Sequence, residues 1–154
     1  MNNENAVLYA QTTKGCDILR VLYGVIKKQN TLDFSPVTQL PTIEHNGSHI
    51  DIGYNGSYQN TATPLSIWIG INLHVYKSCT IQIYLGTKDI KLFPDGEGTY
   101  YGQKETETKC SQIWIPLKKE HCDEVFDSET SDAKRKEILS GYLDEVLAQF
   151  KLVY

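Results

Sequence analysis

The chain has 154 residues, of which 40% are hydrophobic and 22% charged, with 15 Lys and Arg against 19 Asp and Glu. This length and composition suit a single packed domain, 1–154, and exclude a disordered chain. A net charge of −4 lacks the basic excess on which nonspecific nucleic-acid binding depends, and no apolar run approaches the roughly 20 residues of a membrane span. The start, MNNENAVLYAQ, has neither the positive region nor the apolar stretch of a signal peptide, so a cytoplasmic protein is expected.

Residues 16–28, CDILRVLYGVIKK, place apolar side chains at 18, 19, 22, 25 and 26. This is the stripe of an amphipathic helix, with lysines at the end that suits its dipole. The pattern is compatible with a start near Ala6, and Gly15 leaves continuity between the two parts open. After Asn30 the periodicity stops, and Pro36 and Pro41 mark an extended connector.

The next segment, TIEHNGSHIDIGYNGSYQ, alternates around two Asn-Gly pairs, Asn46-Gly47 and Asn55-Gly56. Asn-Gly is the favoured pair for tight hairpin turns, because both residues tolerate positive φ. Ile50 and Ile52 share one face of the intervening strand; His49 and Asp51 take the other. LSIWIGINLHVY and TIQIYLG follow, rich in Ile, Val, Trp and Tyr as strands are. Ile67, Ile69, Ile71 and Leu73 lie on one face, and Trp68 and His74 on the other with Ser66, Gly70 and Asn72. Ile81, Ile83 and Leu85 alternate with Thr80, Gln82 and Tyr84. KDIKLF is short and could extend the sheet, and CSQIWIPL reads as a further strand ending near Pro116.

The C-terminal segment SDAKRKEILSGYLDEVLAQFKLVY repeats Ile138, Tyr142, Val146 and Phe150 every four residues, beside Leu139, Leu143 and Leu147. Ser128, Thr130 or Ser131 can cap this helix. The expected fold class is therefore α+β: a single antiparallel sheet of about five strands in a meander, with an N-terminal and a C-terminal helix on one face. The opposite face would display Trp68, His74, Tyr84 and Trp114 or its neighbours.

Several patterns invite a chemical reading. PDGEGTYYGQKETETK, residues 94–109, contains Pro94-Asp95 and then Glu107-Thr108-Lys109. It resembles the PD-(D/E)xK signature of metal-dependent nucleases, which implies Asp95 and Glu107 as oxygen ligands to a divalent cation and Lys109 beside the attacking water. In that superfamily the acidic residues sit on apolar strands. Here Pro-Asp-Gly is turn chemistry and KETETK has no apolar frame, so the segment reads as a loop and the nuclease as the alternative function.

His49 and Asp51, on one strand face, could form a base and its orienting carboxylate, but no nucleophile is marked. The four cysteines, Cys16, Cys79, Cys110 and Cys122, form no CxxC. Even with His121 they do not follow zinc-ligand spacing, so no metal and no cofactor are expected. GEGTYYG lacks the strand and helix that a phosphate loop needs.

What remains is an aromatic surplus. The chain has ten tyrosines, more than a core needs, and Tyr54, Tyr58, Tyr100 and Tyr101 fall in expected turns and loops. Tyr and Trp provide large contact area at low entropic cost and are enriched at recognition surfaces. The expected function is non-enzymatic recognition of a protein partner or small ligand through Tyr54, Tyr58, Trp68, His74, Tyr84, Tyr100 and Tyr101. Small acidic inhibitors, immunity proteins and phage or mobile-element accessory factors exemplify this class.

Overall fold

The computed structural model describes residues 3–28, 42–46, 49–58, 65–74, 79–87 and 111–149. In chain order these are α1 (Asn3–Lys28), β1 (Thr42–Asn46), β2 (His49–Tyr58), β3 (Leu65–His74), β4 (Thr80–Thr87), β5 (Ser111–Pro116), α2 (Lys119–Phe126) and α3 (Asp132–Gln149). The strands form one antiparallel sheet in the order β1-β2-β3-β4-β5. The expected α+β meander with terminal helices is thus the fold.

Strand alternation decides which layer each residue joins. Ile52, Ile67, Ile69, Ile71, Leu73, Ile81, Ile83 and Leu85 are all buried on one face, beneath the helices. From α1 come Ile18, Leu19, Leu22, Val25 and Ile26, the stripe read from the sequence. From α3 come Leu139, Tyr142, Leu143, Val146 and Leu147. Gly15 does not break α1, which runs through it. A methyl group there would stand 2.5 Å from Ile71 Cδ1. Its absence lets α1 lie close to β3, which offsets the roughly 1 kcal/mol that glycine costs a helix interior.

Two features depart from the sequence reading. The segment 119–126 is a helix, α2, in which Cys122 and Val125 are buried and His121 is exposed. Its cue is local: apolar residues at 122, 125 and 126, and a Lys119–Asp123 ion pair of 2.5 Å at helical spacing. In addition, Asn55-Gly56 is not a turn. β2 continues through it, with Asn55 opposite Trp68 and Gly56 opposite Ile67. A ten-residue ladder that also buries Ile52 and Tyr54 outweighs the local preference of one dipeptide.

Side chains from α3 and α1 join the helices. Ser131 caps α3, its Oγ accepting from the Lys134 amide at 3.2 Å. Arg135 is only 11% exposed. Its guanidinium donates to the carbonyls of Val125 at 2.9 Å and Asp127 at 2.8 Å, at the C-terminal end of α2. α2 has no basic residue in its own last turn, so α3 supplies the cation that the helix dipole favours there. Asp132 accepts from Arg20 of α1 at 2.7 Å and from Arg135 at 3.2 Å, and the Arg20 hydrogen bond draws its carboxyl below the usual range. Tyr142 of α3 donates its hydroxyl to the Ile115 carbonyl of β5.

Leu143 is 1% exposed, so Leu143→Ala is expected to lower the unfolding free energy by about 2–5 kcal/mol in urea titration. A loss below about 0.5 kcal/mol, typical of a surface site, would contradict the packing of α3. Burial raises the Tyr142 hydroxyl well above the ordinary tyrosine value. A group whose folded pKa is raised stabilises the fold below its unfolded value, about 10, and that contribution is lost as pH climbs toward the folded value. Stability should therefore fall above about pH 10, and fall less steeply in Tyr142→Phe. Identical alkaline slopes for the two proteins would show that Tyr142 does not titrate as its burial requires.

Candidate functional site

On the face of the sheet opposite the helices, residues 53, 70 and 86 are glycines, and two of them, Gly53 and Gly70, are directly opposite each other in the β2–β3 register. Glycine pairs leave a gap in a sheet surface that a neighbouring aromatic ring can fill. Trp68 does so: a methyl group built on Gly53 would lie 2.5 Å from its Cε2, and one on Gly70 would lie 2.7 Å from its Cζ2. Tyr84 occupies the space above Gly86 in the same way, its hydroxyl 2.5 Å from where a Cβ would stand.

These two rings meet a third. Trp114 of β5 lies opposite Tyr84 in the ladder. Its ring centroid is 4.7 Å from that of Tyr84 and 5.9 Å from that of Trp68, the latter edge to face. Such geometry suits the ring quadrupoles. All three rings are partly exposed. With Asp51 and Asn55 of β2 they line a depression of about 180 Å³. Asp51 is held in place by its neighbour: Asn72, opposite it on β3, donates its Nδ2 to the Asp51 carboxylate. Asn72 is only 8% exposed and is the one buried polar residue among those described.

Of the residues singled out in the sequence, Trp68 and Tyr84 come together here, paired across β3 and β4, and the Trp114 ring contacts both. His74 shares their face but ends β3, six residues and roughly 20 Å along the strand from Trp68. Tyr54 is corrected. It is a strand residue of the core face, 5% exposed. Its hydroxyl donates to the Leu19 carbonyl at 3.3 Å, and its ring lies 5.5 Å from that of Tyr23. It fastens β2 to α1 from within the core. Tyr58 ends β2, and its side chain lies outside the described residues, as do Tyr100, Tyr101, Asp95, Glu107 and Lys109. Asp51 and Asn55 join the candidate depression without a clear sequence signal: Asp51 reads as a partner of His49, and Asn55-Gly56 reads as a turn.

Among the described residues no three His, Cys, Asp or Glu side chains converge on a point where a metal ion could sit. Cys122 is buried, its thiol 3.5 Å from the Leu117 carbonyl, and burial pushes that thiol up in pKa. A second, larger concavity of about 480 Å³ lies between the end of β5, α2 and α3. Its rim carries both signs of charge, and two of those charges, Lys134 and Glu137, pair with each other at 3.0 Å.

Gly70→Ala tests the aromatic arrangement. The added methyl would overlap the Ile52 carbonyl oxygen and the Gly53 Cα, backbone atoms that cannot rotate aside. The expected cost is about 1–3 kcal/mol, accompanied by a change in tryptophan emission as the indole is displaced. A neutral substitution would mean that β2 and β3 do not approach so closely. Comparison with known proteins finds no family model, curated protein or solved structure that matches this chain.

Proposed function

We propose that the protein is a non-enzymatic recognition module whose binding surface is the sheet face opposite the helices, centred on Trp68, Tyr84 and Trp114. One observation supports this reading above all: three aromatic rings cluster, partly exposed, on the face of the sheet that the helices leave uncovered. Scattered apolar side chains on a surface need no explanation, but a contiguous aromatic group beside fixed polar atoms has the composition of a binding hot spot. Trp68 also fills the gap over Gly53 and Gly70, so a structural role accounts for part of its contact. Trp114 is not among the three nearest contacts of any described glycine, which makes it the more informative position.

The polar groups at the rim suit recognition: Asp51 and Asn55 line the depression, and Asn72 holds the Asp51 carboxylate in place. No helix of the described residues is long and apolar enough to cross a membrane.

The test uses wild type and Trp114→Ala in affinity capture from the cells that make the protein. Captured partners are then titrated in purified form. The sequence contains two tryptophans, and both lie on this face, so selectively excited tryptophan emission reports on the surface alone. Trp114→Ala is expected to weaken binding by about 1–2 kcal/mol or more, the size of a hot-spot loss, while circular dichroism and melting show an intact fold. Capture unchanged by the substitution, or binding that leaves the emission untouched, would place recognition elsewhere.

A further inference from the structure

We propose that the depression lined by Trp68, Tyr84, Trp114, Asp51 and Asn55 receives an arginine side chain from a basic segment of a protein partner. This rests on the reading of the sheet face as a recognition surface and adds the chemistry of what binds there.

Size is the first consideration. The depression measures about 180 Å³, well below the roughly 300–1,000 Å³ of sites that enclose a whole small molecule. One side chain, projecting from a partner that rests on the rim, matches it better than a free ligand does.

Charge decides which side chain. The walls are two indoles and a phenol, whose faces carry negative potential, and a carboxylate; among the described residues no Lys, Arg or His lines the space. An apolar occupant would satisfy the rings but bring no complementary group to the Asp51 carboxylate. A cation answers both needs, through the ring faces and through the carboxylate. The chain as a whole carries −4, which favours approach of a basic partner.

Between the two long cations, the guanidinium is the better match. It is planar, more weakly hydrated than an ammonium, stacks on aromatic faces and presents a fork of donors to a carboxylate. The Asn55 carboxamide, also at the rim, offers a further acceptor. Asp51 is already oriented by Asn72, itself 8% exposed, so little is lost in ordering the carboxylate when the cation arrives.

The experiment titrates the isotope-labelled full chain with three peptides of equal length, Gly spaced by Arg, by Lys or by Gln. The readouts are the two indole N–H resonances and tryptophan emission. The arginine peptide is expected to shift both indole resonances saturably. The lysine peptide should bind about fivefold more weakly or less tightly still, and the glutamine peptide should shift neither resonance. Asp51→Asn keeps the shape and the contact to Asn72 but removes the charge; it should weaken the arginine peptide by at least about tenfold. Glu120→Gln removes an exposed charge on α2 and should leave binding unchanged.

Equal loss in Asp51→Asn and Glu120→Gln would reduce the effect to net charge and overturn the proposal, as would equal binding of the arginine and glutamine peptides or no saturable shift up to about 10 mM peptide. The two readings fail separately. Partner capture that depends on Trp114 but is indifferent to Asp51→Asn leaves the recognition face standing and removes the arginine. Capture indifferent to Trp114 removes the face itself.

Discussion

Ile67, Ile69, Ile71 and Leu73 alternate along β3, and none is more than 4% exposed. β3 is the middle strand of the meander, hydrogen-bonded to β2 on one side and β4 on the other. Its polar backbone is therefore satisfied in the plane, and only its apolar face needs cover. Each such side chain contributes about 1.5–3 kcal/mol when withdrawn from water, so four of them rival the whole net stability of an ordinary domain. Placing α1 across this row, with Gly15 permitting close approach to Ile71 and Leu73, is the constraint from which the other helix contacts follow. The Arg20–Asp132 pair between α1 and α3 is exposed on both sides, and exposed pairs contribute little. It orients the two helices more than it binds them.

Committing the odd-numbered residues of β3 to the core commits the even-numbered ones to the opposite face. Trp68, Gly70, Asn72 and His74 stand there for that reason alone, and a slip of one residue would exchange the two sets. The register then does something no single strand could. It sets Gly53 against Gly70, Asp51 against Asn72, and Tyr84 against Trp114. A gap, a fixed carboxylate and a ring pair thereby fall within one small area. The core and the proposed recognition surface are two consequences of one pairing pattern.

The helical layer has a comparable economy. α2 is eight residues long, short of what an isolated helix needs to persist in water. Two buried side chains, Cys122 and Val125, and the Arg135 guanidinium at its C-terminal carbonyls hold it in place. Because Arg135 belongs to α3, α2 depends on a neighbour that is made after it in the chain.

The alternation of Ile along β3 and β4 and the stripes of α1 and α3 are local periodicities, so the amino-acid sequence by itself determined the α+β class, the meander and the identity of most core residues. It also determined that Trp68, His74 and Tyr84, with Trp114 or a neighbour, would share the face opposite the helices. The tertiary structure alone decided that Tyr54 turns inward to Leu19, that Asn55-Gly56 runs through a strand, that the Trp114 ring touches both Trp68 and Tyr84, and that Asn72 holds Asp51 beside them. These depend on pairing between residues far apart in the chain. Asn55 meets Trp68 only because β2 is long enough to continue past a dipeptide that locally favours a turn. Cross-strand register, unlike periodicity, is a property of two segments at once, and neither segment carries it alone.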